Sequence, residues 1–197
     1  MPTYKIISEV FMDSINNLST LSKSEDRLSY LVRLNIATNQ RLWDLEDSAR
    51  MIELGPEHIA VTKQEIDENN QIRNNLIRDV DIEITHLMHI APHNSQAQFY
   101  CESPGMIIDR LAILSIKRSV IGDLLSVIKE PDLLKEYQKK EQIILGQINR
   151  MSDFLDTYLY RLEHRKAYFD VQQPVKIYND KRIKEYIKFL KQCREGQ

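Results

Sequence analysis

The sequence predicts an all-α protein: a single-domain helical bundle of about five long helices plus a short basic C-terminal helix. Glycine and proline, which interrupt regular elements, number only five and six among the 197 residues. Apolar residues recur every three or four positions over long stretches, as they do along one face of a helix. Hydrophobic residues make up 42% and charged residues 28%, a balance that is typical of a globular chain with one well-developed core.

Capping residues, prolines and a glycine set the boundaries of the predicted helices. Ser24 is a predicted N-cap, Gly55-Pro56 and Ala91-Pro92 are stop signals, and Ser103-Pro104 and Pro131-Asp132 open new helices. The predicted helical segments are residues 4–21, 25–51, 57–90, 104–128, 131–165 and 181–194. The fourth segment is apolar almost all round in its first half, which predicts the central buried helix.

Charge and cysteine content exclude several classes of protein. A net charge of −2 gives no global field that would attract nucleic acid. Cys101 and Cys193 are too few and too far apart for a disulfide framework. No run of about 18 apolar residues predicts a membrane span, and polar residues occur too early for a signal peptide. We therefore expect a cytoplasmic protein that has no transmembrane segment and binds no nucleic acid.

Polar residues fall on the apolar face of the second predicted helix. A helix turns about 100° per residue, so the side of each residue can be computed. The polar residues on the side expected to be buried are Asn35, Asn39, Glu46 and Arg50. Glu46 and Arg50 are four residues apart and can pair directly. A buried charge left alone costs several kcal/mol, so we expect a mutually satisfied network.

The third and fourth predicted helices repeat this pattern. Arg73 lies in the middle of an apolar face and therefore requires an anionic partner. Asp109 shares a face with apolar residues and requires a cation, for which Arg73 or Arg50 is suited. A second stripe on the third helix is either part of a site or solvated surface, and it comprises Lys63, Asp67, Asn70, Gln71, Asn74 and Asp81.

The start of the fourth predicted helix has free backbone N–H groups that favour an anion. Gly105 leaves room there for a close approach. An ordinary helix that begins at proline is the alternative interpretation, and Glu102 is then a capping acid.

Four segments of the chain carry a resemblance to a known family: NQRLWDLEDSAR (39–50), KQEIDENNQIRNNLIRDVD (63–81), ESPGMIIDRLAILSIK (102–117) and KIYND (176–180). In order and spacing they resemble the bacterial domain-of-unknown-function family 4254. Its blocks look like N-x-x-L-W-x-x-E-D-x-A-R, K-x-x-I-D-x-x-N-Q-x-R-N-D, E-T-P-G-S-I-I-D-R-L-S-I-L and K-M-Y-N-D. The resemblance implies no established activity, and it implies a loose association with glycosyltransferases and surface-polysaccharide assembly.

The family's polar positions fall in this chain on Asn39, Trp43, Glu46, Asp47, Arg50, Lys63, Asp67, Asn70, Gln71, Arg73, Asn74, Asp81, Glu102, Asp109, Arg110, Lys117, Tyr178, Asn179 and Asp180. Four positions depart from the pattern. Asn75 and Arg78 replace acids, and Met106 and Ala112 replace serines. The loss of two acids weakens a metal-binding interpretation of the third helix.

The first functional hypothesis is a site that binds or hydrolyses a phosphorylated small molecule, such as a nucleotide or nucleotide sugar, with or without Mg²⁺. Carboxylates on facing helices can hold Mg²⁺, and the candidate ligands are Glu46, Asp47, Asp67 and Asp109. The candidate catalytic residues are Glu46, Asp47, Arg50, Arg73 and Asp109. The candidate substrate-binding residues are Asn39, Trp43, Lys63, Asn70, Asn74, Ser103, Gly105, Arg110, Lys117, Tyr178 and Asn179.

The second hypothesis is a non-catalytic helical accessory or scaffold protein for glycan-assembly enzymes, in which the polar network fixes helix register. The basic C-terminal helix would then dock onto a protein or a membrane surface. The spacing of His86, His89 and His93 suits a transition metal, although Pro92 interrupts the helix and favours surface histidines. The sequence leaves open whether the protein is an enzyme, and it gives no oligomeric state.

Overall fold

Helices dominate the computed structural model, which describes residues 26–89, 96–173 and 181–195, and the predicted all-α bundle is confirmed. The helices are α1 (Arg27–Ser48), α2 (Gly55–Leu87), α3 (Pro104–Val127), α4 (Pro131–Glu163) and α5 (Lys184–Glu195). Short 3-10 turns occupy Ile52–Leu54 and Lys181–Ile183. The predicted helix over residues 4–21 lies outside the described residues.

The helix boundaries follow local capping chemistry. Asp26 caps α1, since its carboxylate accepts a hydrogen bond from the Ser29 backbone N–H at 3.0 Å. The predicted cap, Ser24, lies outside the described residues. Gly55 opens α2 with a φ of +86°, a conformation that other residues rarely adopt. Ser103 caps α3 as predicted, accepting from the Met106 backbone N–H at 3.3 Å.

The main apolar core draws on all four long helices. It includes Val32 of α1, Ile84 of α2, Leu111 of α3 and Leu159 of α4, each of which is fully buried. The first half of α3 is buried on nearly every side, which confirms the predicted central helix. α3 packs on both α1 and α2 and runs beside α4. At the C-terminal end of α2, Leu87 is exposed, whereas the next residue, Met88, is buried in this core.

Helix α4 contributes to the core only through its second half. Leu155, Tyr158 and Leu162, which lie in that half, are buried. Leu134 and Ile144, which lie in the first half, are only half-buried. Their part of α4 lies beyond the main core and packs beside the second half of α3.

A two-residue parallel strand pair connects the segment before α3 with the segment after α4, both of which lie outside the predicted helices. β1 (Gln98–Phe99) pairs with β2 (Ala167–Tyr168), and the Tyr100 backbone N–H donates to the Tyr168 carbonyl at 2.9 Å. Arg161 of α4 donates to the Tyr100 hydroxyl at 2.9 Å. The pair therefore fixes the chain entering α3 and the chain leaving α4 at one end of the bundle.

None of the helices within the described residues is both long and apolar enough to cross a lipid bilayer.

Candidate functional site

A buried carboxylate on α3 lies at the centre of the candidate site. Asp109 is 7% exposed, and its Oδ1 accepts hydrogen bonds from the side-chain amides of Asn35 at 2.9 Å and Asn39 at 2.8 Å. The Arg73 Nε lies 3.9 Å from the same oxygen. Acid and guanidinium from two separate segments therefore meet inside the bundle, as the helical faces predict.

The two asparagines form a rigid support for this carboxylate. Asn39 Nδ2 also donates to the Asn35 backbone carbonyl at 3.1 Å and contacts its side-chain oxygen at 3.2 Å. Both residues are buried, so water does not compete for these bonds. A charge removed from water is tolerated when hydrogen bonds and an opposite charge compensate it, and Asp109 has both.

Arg73 is less well satisfied than Asp109. Its side chain is 29% exposed, and its buried Nε has no hydrogen-bond partner among the described residues. Within the part of the chain that the structure describes, the ion pair with Asp109 is its one polar contact. A guanidinium carries five N–H donors, so Arg73 retains donor capacity for a further anionic group.

Arg73 lies in the wall of a cavity between α1, α2 and α3, which we call the polar pocket. Its volume is about 230 Å³. The lining residues are Asn39, Leu42, Trp43, Glu46, Asp47, Arg50, Asn70, Arg73, Ile113 and Ile116. Seven of these ten were predicted site residues, so the fold gathers most of the predicted site residues of the α1 and α2 segments at one cavity. Arg73 and Asn39 connect this cavity to the Asp109 carboxylate.

The charged residues at the C-terminal end of α1 differ from their prediction. Glu46 and Arg50 are exposed rather than buried, and Arg50 pairs with Asp47 at 3.0 Å rather than with Glu46. α1 ends at Ser48, so the helical spacing that would align residues 46 and 50 is not maintained. These residues therefore form the open mouth of the polar pocket, not its core.

The predicted polar stripe of α2 divides into a surface part and a buried part. Lys63, Asp67 and Asn74 are exposed, and Asn70 is half-buried in the polar pocket. Asp81 at the far end is 2% exposed. Burial raises its pKa to about 6, although hydrogen bonds donated by the Ser103 hydroxyl and the Gly105 N–H oppose that rise.

The N-terminus of α3 binds an anionic group, but that group is a side-chain carboxylate of the protein itself. The Gly105 backbone N–H donates to the Asp81 carboxylate at 2.7 Å. A Cβ at residue 105 would lie 2.5 Å from the Ile77 carbonyl oxygen. Gly105 therefore allows α2 to approach α3 closely, and this corrects the expectation that it leaves space for a substrate. Ser103 likewise serves as a cap and as a donor to Asp81.

Arg110 and Lys117 lie on the other side of α3, away from the polar pocket. They line a cavity of about 530 Å³ between α3 and α4, which we call the cationic groove. Its residues are Arg110, Ile113, Leu114, Lys117, Gln147, Arg150, Met151 and Phe154. Arg110 forms a two-pronged ion pair with Glu102, so Glu102 is a partner of Arg110 rather than a capping acid. Ile113 separates the groove from the polar pocket.

Asn74 belongs to a third cavity, of about 220 Å³, beside the Asp81 carboxylate. Arg78, Gln172 and Gln173 also line it, and sequence patterns had not selected the two glutamines. Their segment follows β2 and is irregular, so no periodicity could have predicted their position.

The four acids proposed as metal ligands do not assemble into a metal cluster. Within residues 26–89, 96–173 and 181–195, no three His, Cys, Asp or Glu side chains are arranged to hold an ion. Asp109 instead accepts hydrogen bonds from two side-chain amides and forms an ion pair with Arg73, and Asp67 is exposed. His86 and His89 are also exposed. His93, Tyr178, Asn179 and Asp180 lie outside the described residues.

The family comparison agrees with the resemblance that the four sequence segments suggest. The model of a family described as "Protein of unknown function (DUF4254)" matches residues 29–171. This range includes every lining residue of the polar pocket and of the cationic groove. Searches of curated proteins and of solved structures found no match.

Proposed function

The chain belongs to the DUF4254 family, and from its own geometry we propose that it binds a phosphorylated small molecule in the polar pocket. The observation that carries this proposal is the state of Arg73. Its guanidinium is mostly covered and lines a cavity, and within the described part of the chain its buried Nε has no hydrogen-bond partner. A phosphate group supplies oxygen acceptors in the planar geometry that a guanidinium prefers.

The remaining lining residues suit a polar organic ligand. Asn70 offers a side-chain amide, and Trp43 offers a half-buried aromatic ring that lines the same cavity as Arg73. Amides bind hydroxyl groups, and an indole ring can pack against a sugar or a base. Arg50 at the mouth adds a second cation, whose charge is partly balanced by Asp47.

The size of the pocket limits what it can enclose. Sites for drug-sized ligands measure about 300 to 1,000 Å³, and the polar pocket measures about 230 Å³. A sugar phosphate fits this volume, whereas a nucleotide sugar would extend beyond the mouth. We therefore propose a sugar phosphate, or the sugar-phosphate part of a larger nucleotide, as the ligand. The association of the family resemblance with surface-glycan assembly supports the same choice.

Mg²⁺ would enter this site with the ligand. Mg²⁺ is commonly held by one or two carboxylates together with substrate phosphates and water. Glu46 and Asp47 are exposed at the mouth and are the carboxylates that could share such an ion. Hydrolysis would require one of them to activate water, so catalysis is a separate step of the proposal from binding.

Trp43 provides a direct test, because it is the single tryptophan of the chain and lines the polar pocket. Titration with glucose 1-phosphate should change its fluorescence with saturation, whereas glucose at the same concentrations should not. Repeating the titration with a nucleotide sugar, and with and without Mg²⁺, tests the larger ligand and the metal. Phosphate release measured in the same samples tests hydrolysis.

Arg73→Gln should weaken the binding of the phosphorylated probe about 10- to 100-fold, the range expected for charge-assisted hydrogen bonds. Arg73→Lys, which keeps the charge, should restore part of the affinity. Arg78→Gln is the matched control, because Arg78 lines the neighbouring cavity rather than the polar pocket. Unchanged affinity in Arg73→Gln, or no saturable signal with any phosphorylated probe, would reject the proposal and favour a non-catalytic accessory protein for glycan-assembly enzymes.

A further inference from the structure

Helix α5 carries a large apolar face that is open to solvent. Tyr186, Phe189 and Leu190 are 71%, 63% and 55% exposed. Their spacing of three and four residues puts them on one side of the helix, and Cys193, also exposed, continues that side. In a globular protein such a face is normally packed against the core.

The rest of the described chain does not cover this face. α5 packs chiefly against the 3-10 turn that precedes it, Lys181–Ile183. The partly buried residues of this region are Ile183 and Ile187, which lie to one side of the exposed aromatic residues. The part of the chain that the structure describes therefore leaves this apolar face open to a partner.

The charge of the segment indicates the chemistry of that partner. Residues 181–195 contain six basic and two acidic residues, a net charge of +4. The whole chain has a net charge of −2, so the other 182 residues together carry −6. Positive charge is thus concentrated in the segment that also exposes the aromatic face. Lys184, Lys188 and Lys191 project from the side opposite Tyr186.

We infer that α5 binds the surface of an anionic lipid membrane and lies in the plane of the interface. Short helices with an aromatic and aliphatic face opposite a lysine-rich face bind in this way. The apolar face enters the boundary between headgroups and acyl chains, while the lysines remain among the anionic headgroups. Its 12 residues extend only about 18 Å, so α5 lies on the bilayer rather than spanning it.

The cationic groove of the chain itself is a poor binding site for α5. The cationic groove between α3 and α4 is lined by Arg110, Lys117 and Arg150, and none of its described lining residues is an acid. A segment of net charge +4 would be repelled there. An anionic membrane complements both the charge and the apolar face, so it is the partner that the observations favour.

The test is sedimentation of the full chain with lipid vesicles. The chain should sediment with vesicles made of equal parts phosphatidylcholine and phosphatidylglycerol, and it should stay in solution with phosphatidylcholine alone. High salt should release it, because salt screens the attraction between exposed charges and headgroups.

Two paired substitutions separate the contributions of the two faces. Phe189→Ser with Leu190→Ser removes the apolar contact, and Lys188→Glu with Lys191→Glu reverses the charge. Each pair should weaken vesicle binding more than about tenfold. The matched controls are Ile52→Ser with Val61→Ser and Lys135→Glu with Lys139→Glu, which change equally exposed residues elsewhere and should bind like the wild type.

Unchanged melting temperatures would show that the α5 variants keep the fold, as expected for residues outside the core. Vesicle binding that survives both α5 substitution pairs overturns the inference. A wild-type chain that stays in solution with anionic vesicles also overturns it, and a protein surface then becomes the partner class for α5.

Discussion

The contact between α2 and α3 at Gly105 gives the sharpest prediction about stability. In Gly105→Ala, the new Cβ would lie 2.5 Å from the Ile77 carbonyl oxygen and 2.8 Å from Asp81 Oδ1. The carbonyl belongs to the backbone of α2 and cannot rotate away. Because ordinary contacts begin at about 3.4 Å, the two helices would have to separate by nearly 1 Å.

Two costs follow from that separation. Forcing an extra methyl group into a packed contact costs about 1 to 3 kcal/mol. Lengthening the 2.7 Å hydrogen bond from Gly105 N–H to Asp81 weakens a bond to a charged group that is worth about 1.5 to 3 kcal/mol. Alanine offsets up to about 1 kcal/mol of this loss of stability, because its helix propensity is better than that of glycine. We therefore expect the free energy of unfolding to fall by about 2 to 4 kcal/mol.

Gly122→Ala is the matched control within the same helix. Apart from adjacent residues and the backbone of the same helix, no described atom lies within 4 Å of the position that a Cβ would take at residue 122. Alanine should therefore raise the free energy of unfolding by about 0.5 to 1 kcal/mol. Urea unfolding followed by far-ultraviolet circular dichroism measures both variants. If Gly105→Ala is as stable as the wild type, the close approach of α2 to α3 is not a tight contact and the argument fails.

Two further predictions concern the buried carboxylates. Because burial raises the pKa of Asp81 to about 6, the native state binds this proton more tightly than the unfolded state. The stability that protonation of Asp81 contributes to the native state is fully present below about pH 4, and it is lost as the pH rises through 6. The stability difference between wild type and Asp81→Asn should therefore fall by about 2 to 3 kcal/mol from pH 4 to pH 7, and parallel urea-unfolding profiles would contradict this. Asp109→Ala should cost about 3 to 5 kcal/mol, since Arg73 loses its counter-charge, whereas Asp47→Ala at the exposed pair with Arg50 should cost less than about 1 kcal/mol. Equal losses of melting temperature in the last two variants would show that Asp109 is not a buried partner.

Local sequence signals determined most of the helical architecture. Ser103-Pro104 and Pro131 open α3 and α4 as predicted, and the apolar spacing identified α3 as the buried helix. These signals succeed because capping and helical periodicity depend on residues within one or two turns. The strand pair of Gln98–Phe99 with Ala167–Tyr168 escaped prediction, since its partners lie far apart in the sequence and two residues give no periodicity.

The candidate site was predictable to a similar extent. The helical faces predicted that Asp109 needs Arg73 or Arg50 as its partner, because an ion on an apolar face requires an opposite charge, and the structure pairs it with Arg73. The burial of Glu46 and Arg50 was predicted wrongly, because the face calculation assumes a helix that continues past residue 48 and a core along its whole length.

The sequence by itself determined which residues must be buried. They are the residues on the apolar faces of the helices, together with a few charged residues on those faces that need partners. Tertiary structure alone decided which partners they find. Asp81 accepts a hydrogen bond from the backbone N–H of Gly105. Asp109 accepts hydrogen bonds from two side-chain amides and forms an ion pair with Arg73, which lines the polar pocket. The physical reason is that the pairing depends on the distance and rotation between packed helices, and these result from the fit of all their side chains together rather than from any one segment.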